Sequence, residues 1–169
     1  LYLFFVILLK KSLFYKLLDI KLYLSILIKN IKTHNQMKFN LTEEQILVRD
    51  TAREFAQNEL LPGVIARDEH QHFPDNLVKK MGALGFMGIM VDPKYGGSGM
   101  DTLSYTLMIE ELSKVDASAA VIVSVNNSLV CFGLEAYGTD KQKEKYLTKL
   151  AKGEYIGAFC LSEPEAGSD

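Results

Sequence analysis

Cysteine is scarce in this chain. Cys131 and Cys160 are the only two in 169 residues, and neither stands in a CxxC pair or beside a histidine in sequence. The pattern carries neither a metal nor a redox motif, and the apolar neighbours of both mark them as small, reduced core residues. A reducing, cytoplasmic compartment fits. Also missing from the first 36 residues is an unbroken apolar run of the roughly 18–20 residues a membrane span requires. Leu1–Leu9 stops at Lys10 and Lys11, and the next stretch is cut by Lys16, Asp19 and Lys21. A secretory signal is absent as well, since no positive charge precedes the apolar run and no small-residue cleavage site follows it. No strand-Gly-x-Gly-x-x-Gly-helix pattern occurs, so Gly97-Ser98-Gly99 reads as a structural turn. Internal repeats and low-complexity linkers are lacking too.

Positive charge is short in the body of the chain. Residues 1–36 carry six Lys and one Asp, a net of +5; the remaining residues carry 13 basic and 20 acidic side chains, a net of −7. An acidic body excludes nucleic acid as the main partner, because phosphate binding needs clustered positive charge. What is abundant is apolar content, 48%, with 24% charge, the balance of a globular protein with one core. The first 36 residues contain no Gly or Pro and fit no targeting template, whereas Met37 is the first Met of the chain. Residues 1–36 therefore read as an upstream extension, with Met37 the natural start.

The body reads as helices. Thr42 with Gln45 forms a capping box, so a helix is expected from Glu43, with Ile46, Val48, Ala52, Phe55, Ala56 and Leu60 on its apolar stripe and Pro62-Gly63 as its break. Residues 64–73 read as a solvated connection. His70 and His72 within it lack a third ligand and point to different sides of a helix. Pro74 and Asp75 open a second helix with Leu77, Val78, Met81 and Leu84 inward and Gly85 as its C-terminal cap. Phe86–Val91 is a buried connector. Asp101 or Thr102 starts a third helix to about Val115, with Leu103, Leu107 and Leu112 in contact and Glu110, Glu111 and Lys114 in water.

From Ala119 to Ala136 the only charge is Glu135, so this fourth helix is expected to be buried on most sides. Its Ser124, Asn126, Asn127 and Ser128 then need partners inside the protein. Thr139 and Gln142 form a second capping box, opening a Lys-rich fifth helix with Tyr146, Leu147 and Leu150 inside. Gly153 stops it, and Tyr155–Ser162 reads as the start of a strand. The chain closes on Ser162-Glu163-Pro164-Glu165-Ala166-Gly167-Ser168-Asp169. Small hydroxyls and a Gly just past a strand suit a close approach to a phosphate or a flat ring, and equally an ordinary surface turn.

These landmarks, in this order, resemble the N-terminal part of the acyl-CoA dehydrogenases: Leu41–Gln45, Arg53-Glu54-Phe55-Ala56, Phe73-Pro74, Leu84–Gly88, Tyr95–Gly99 and the Ser-Glu-Pro…Gly-Ser-Asp segment. The resemblance implies a mainly α fold, with an N-terminal helical domain over residues 37–153 and the first strand of a truncated middle β-domain over 154–169. It implies FAD as cofactor, with Phe159, Leu161, Ser162, Gly167 and Ser168 against it. Ser168 would also meet the pantetheine arm of the substrate, and Val125 and Leu129 would line the acyl chain. The wording Ser124–Leu129 is most similar to members acting on short chains. Implied partners are an acyl-CoA substrate, electron-transfer flavoprotein and further copies of the chain in a tetramer, with neither nucleic acid nor membrane.

Two departures qualify the resemblance. Ser162 replaces the more usual Thr, and Phe159 stands where Tyr is also common. No residue matches the family's catalytic Glu, which belongs to a later segment, so no catalytic residue is assigned and the polypeptide by itself is expected to be inactive. An oxidase of the same fold and a non-catalytic helical binding module remain as alternatives.

Overall fold

The computed structural model describes residues 40–167; the expectations for residues 1–36 and for Ser168 lie outside them. Helix α1 begins at Glu43, where the Thr42 hydroxyl accepts from the Gln45 N–H and the Gln45 side chain accepts from the Thr42 N–H. It runs as regular α-helix over Glu43–Phe55 and continues as a wider π turn over Ala56–Leu60. Val48, Ala52, Phe55, Ala56 and Leu60 are buried, as the stripe requires, and Ile46 at its edge is exposed.

Residues 64–73 are more ordered than a simple connection: α2, Val64–Glu69, follows Pro62-Gly63. It contributes no fully buried residue but is pinned by Arg67, whose guanidinium donates to the Leu60 and Pro62 carbonyls and to Asp116 at 2.8 Å. Helix α3, Asp75–Ala83, buries Val78 and Met81. It ends where Gly85 takes φ +78°, a conformation that costs a residue without Cβ least. Leu84 stays exposed, and Phe86, Met87, Ile89 and Val91 are buried, which bears out the apolar connector.

Helix α4, Thr102–Ser113, is capped by Asp101, whose carboxylate accepts from the Ser104 N–H and from Gln45 Nε2, both at 2.7 Å. The two capping residues thereby tie α1 to α4, which pack along one another. Two expectations for α4 fail. Leu103 is exposed, and Glu111 is buried, because Arg53 of α1 reaches across with two 3.0 Å hydrogen bonds to its carboxylate. A carboxylate with a bidentate partner can enter the interior where an unpaired one cannot.

Helix α5 spans Ala117–Tyr137. It is α-helical over Ala117–Ser124, a π segment over Val125–Cys131, and α-helical again over Phe132–Tyr137. Among the described residues it is the one helix long and apolar enough to cross a membrane, yet its inner face is core: Ala119, Ala120, Val123 and Cys131 are buried. Its outer face is not covered. Val121, Leu129, Phe132 and Tyr137 are exposed, where burial on most sides was expected. The last helix, α6 over residues 140–151, opens on the Thr139–Gln142 capping box and includes a third π segment, Lys143–Leu147. Leu147 and Leu150 are buried, whereas Tyr146 is exposed beneath the Lys145 ammonium.

The core thus gathers α1, α3, α4, the Phe86–Ile89 connector and the first half of α5. A second cluster, Val91, Tyr95, Cys131, Leu147, Leu150 and Ala151, joins α5 to α6. The mainly α class holds. Tyr155–Ser162 forms no strand among the described residues, since extended backbone becomes a strand only beside a partner and residues 40–167 supply none. Cys160 is correspondingly exposed rather than buried.

Candidate functional site

The polar residues at the middle of α5 organise the region where the candidate site residues meet. Asn126 and Asn127 are 0% and 1% exposed, so every polar atom of either needs a partner. Asn127 stays within the helical body: its Oδ1 accepts from the Ile89 N–H at 3.0 Å, and its Nδ2 donates to the Phe86 and Val123 carbonyls at 2.8 and 2.9 Å. Asn126 Nδ2 donates to the Met87 carbonyl at 2.7 Å and to the Leu150 carbonyl at 3.2 Å, while its Oδ1 accepts from the Gly157 N–H at 2.9 Å. Ser124 shares a hydrogen bond with the Tyr105 hydroxyl at 2.9 Å, and Ser128 donates to the Ser124 carbonyl at 2.7 Å. All four polar side chains find the partners the sequence requires of them.

Two of these bonds run back one turn to helix carbonyls, from Asn127 to Val123 and from Ser128 to Ser124. Such bonds compete with the ordinary helical ladder, and they sit at the π segment Val125–Cys131, where the Phe132 N–H reaches back five residues to the Asn127 carbonyl. Val125 and Leu129, the candidate acyl-chain wall, both belong to this widened stretch. Val125 is half-buried and Leu129 is exposed.

The remaining candidates lie on the segment that leaves α6. Its start is held in place: the Glu154 and Tyr155 N–H groups donate to the Lys149 carbonyl at 2.9 and 3.2 Å, and the Lys149 ammonium stands over the Tyr155 ring. Gly157 then lies on α5, with no room for a side chain, since an added Cβ would come within 2.7–2.8 Å of three Val130 atoms. Beyond it, Phe159, Leu161 and Ser162 are exposed. Glu163 and Ala166 exchange backbone hydrogen bonds at 2.9 and 3.2 Å around Pro164-Glu165, a tight turn with Pro in its favoured second position. Gly167 is exposed, and the space where its Cβ would stand is empty to 4 Å.

The structure therefore joins the helix that carries Val125 and Leu129 to the segment that carries Phe159, Leu161 and Ser162 through Asn126 and Gly157, two residues the sequence did not assign to the candidate site. Neither has an unambiguous sequence signal; only the uncharged surroundings of Asn126 marked it as a buried polar group. Fit to a flavin rests on the donors. Among the described residues, no backbone group pairs with the Leu161 or Ser162 N–H, so both, together with the Ser162 hydroxyl, are free for an acceptor edge. The open space at Gly167 admits a close approach.

Carboxylates suited to proton abstraction are not gathered here. Glu111 is committed to Arg53 and Lys114: the Arg53 hydrogen bonds, against the opposing pull of burial and with help from Lys114, hold its carboxyl down to about 2. Glu110 pairs with Lys114 at 3.0 Å. Among the described residues no three His, Cys, Asp or Glu side chains cluster as a metal site. A concavity of about 600 Å³ between α2 and the start of α5 is lined by Arg67, His72, Phe73, Asp116, Ser118 and Ile122 and contains none of the candidate residues. A cleft of about 500 Å³ lies closer, along the α5–α6 seam, between Val130, Leu134, Tyr146, Leu150, Tyr155 and Ile156.

Comparison with known proteins places this architecture. Residues 42–154 match the family model for the acyl-CoA dehydrogenase N-terminal domain. The chain is 53% identical over 133 residues to the short-chain specific acyl-CoA dehydrogenase of Clostridium acetobutylicum, covering 79% of this chain and 35% of that protein. Butyryl-CoA dehydrogenase from Megasphaera elsdenii superposes with a TM-score of 0.71 at 41% identity, over 78% of this chain and 35% of that one. A glutaryl-CoA dehydrogenase from Mycobacterium smegmatis, solved in complex with FADH2, gives 0.71 at 36%, over 76% and 33%. The chain spans about a third of the length of these relatives. The chain therefore belongs to the acyl-CoA dehydrogenases, and residues 42–154 are that family's N-terminal domain.

Proposed function

We propose that this chain supplies the helical domain and one edge of the flavin site of an FAD-dependent short-chain acyl-CoA dehydrogenase. The observation that carries the reading is the placement of an exposed, donor-bearing segment, 158–162, which follows α6 and is tied through Gly157 to Asn126 on the helix that holds Val125 and Leu129. When bound, the flavin supplies a hydride acceptor for the β-carbon of the thioester. The chain's own contribution is binding and electrostatics. The Leu161 or Ser162 N–H and the Ser162 hydroxyl would donate to the pyrimidine edge and favour negative charge there. Phe159 and Leu161 would cover the ring and Gly167 would admit close approach, while the family resemblance assigns Ser168, outside the described residues, to pyrophosphate and pantetheine. Val125 and Leu129 line the acyl chain.

The α-proton needs a base from outside this sequence. Glu111 is locked in its ion pair and Glu110 is held by Lys114, while Glu163 and Glu165 belong to an exposed tight turn. The acyl-CoA dehydrogenase relationship supports electron-transfer flavoprotein as acceptor. The exposed Val121, Leu129, Phe132 and Tyr137 support coverage in a larger assembly, a tetramer in this reading. Two unpaired thiols support a cytoplasmic setting.

The test exchanges residues 37–169 for the matching third of the Clostridium acetobutylicum relative. The chimaera is expected to purify yellow and to oxidise butyryl-CoA faster than a sixteen-carbon ester, whereas the 169-residue polypeptide alone does neither. A folded chimaera without flavin would overturn the cofactor assignment, and equal rates on the two esters would overturn the short-chain assignment.

A further inference from the structure

Asn126 differs from its neighbour Asn127 in one respect. Every partner of Asn127 lies within the helical body, on Phe86, Ile89 and Val123. Asn126 spends its two N–H groups on that body, at the Met87 and Leu150 carbonyls, and its carbonyl oxygen on Gly157, outside it. A carboxamide has two donors on nitrogen and acceptor capacity on oxygen. Turning it over would set its oxygen against two carbonyls and its N–H groups against the Gly157 N–H, so the surroundings fix its orientation. With donors anchored in the core, the oxygen presents an acceptor at one fixed place on the surface of α5.

Gly157 fits that place because it lacks a side chain. The three Val130 atoms at 2.7–2.8 Å from a hypothetical Cβ mean that the backbone lies directly against α5. No further backbone hydrogen bond holds the segment among the described residues until Glu163. Phe159 follows Gly157 by two residues, so its Cα lies within about 7 Å of chain length from the anchor. Val125 is sequence-adjacent to Asn126, and Leu129 is three residues further along the same helix.

We infer that Asn126 is a positioning residue: its carboxamide, with Gly157 as the seat, sets the spacing between the acyl-wall helix and the flavin-facing segment 159–162. The inference rests on the proposed function for what the segment faces, and on the hydrogen bonds and packing alone for what holds it.

The first experiment uses the whole 169-residue chain and follows amide exchange at position 157 by NMR. Asn126→Ala is expected to speed that exchange roughly five- to tenfold, the equivalent of one lost hydrogen bond. Gly157→Ala, which touches none of α1–α4, is expected to do the same by lifting the segment off Val130. Adding Val130→Gly removes all three clashing atoms and restores protection. In the flavin-loaded chimaera, Asn126→Ala and Gly157→Ala are expected to shift the visible flavin band and lower kcat roughly ten- to a hundredfold, with KM for butyryl-CoA little changed. Val130→Gly should rescue Gly157→Ala, while Asn127→Ser lowers the melting temperature and leaves the band in place.

An unchanged amide in Gly157→Ala, or no rescue by Val130→Gly, overturns the anchor. An Asn127→Ser variant that moves the flavin band as far as Asn126→Ala reduces Asn126 to a core residue and overturns the positioning role. A chimaera that holds no flavin before any substitution refutes the proposed function instead, and amide exchange still decides whether Asn126 anchors Gly157.

Discussion

Replacing Glu111 by glutamine is expected to destabilise the helical domain at neutral pH and to leave it nearly unaffected in strong acid. Glu111 lies 6% exposed on α4, bound by Arg53 through two 3.0 Å hydrogen bonds and by Lys114 at 2.9 Å. These partners hold its carboxyl at about 2 rather than 4.5. At about 1.36 kcal/mol per pH unit, the difference corresponds to an upper limit of about 3.4 kcal/mol. Arg53 and Lys114 are each about half exposed, so solvent screens both, and about 2 kcal/mol is the realistic share. Because the folded carboxyl takes its proton at lower pH than the unfolded one, the stabilisation is complete above pH 4.5 and falls away as pH drops through 2. Urea unfolding followed by circular dichroism, for both proteins from pH 7 downward, measures the gap. It should be about 2 kcal/mol at pH 7 and narrow steadily below 4.5. A Glu111→Gln protein as stable as its parent at pH 7, or a gap constant across the acid range, would refute the argument.

Asn127→Leu leaves the buried Ile89 N–H and Phe86 carbonyl without their side-chain partner, and should cost about 3 kcal/mol in the same urea experiment; a loss below about 1 kcal/mol would show that the site rehydrates. The two thiols should separate cleanly under alkylation at mildly alkaline pH. Cys160 is exposed and reacts, whereas burial pushes the Cys131 thiol up to about 12, with Glu135 adding to it, so Cys131 reacts only on unfolding. Equal labelling of both would contradict the packing of α5 against α6. The uncovered face of α5 should bind a hydrophobic dye, and serine at Val121, Leu129 and Phe132 together should abolish most of that binding.

Local signals in the sequence were legible wherever chemistry is local. Both capping boxes, the Asp101 cap, the stop at Gly85 and the burial of the Phe86–Val91 connector depend on residues within a few positions of one another. The need for partners at Ser124, Asn126, Asn127 and Ser128 was legible too, from the lack of charge around them. Long-range pairing was not. Glu111 reads as a surface residue until Arg53, 58 positions earlier, is placed across from it, and α2 reads as a loop until Arg67 meets Asp116. Tyr155–Ser162 and Cys160 show the converse. Their composition suits a buried strand, but burial needs a neighbouring strand that residues 40–167 do not provide. At the site, the seat at Gly157 was hidden because glycine there is required by Val130, a residue on another element.

The widened turn at Val125–Cys131 constrains how the gene can change. A π turn holds one more residue than the α turn it replaces, so removing one residue from this stretch would let the helix close into regular α geometry with both ends still in place. Elsewhere in a helix, a single deletion rotates everything beyond it by about 100°, which here would swing Cys131 and Leu134 away from α6. Within 125–131 the slack of the wide turn absorbs the deletion. The cost falls instead on the side chains of the turn itself, Val125, Asn126 and Leu129, whose directions depend on the extra residue. Length variation at this point therefore reshapes the face of the helix that carries Val125 and Leu129 while the scaffold on either side stays put.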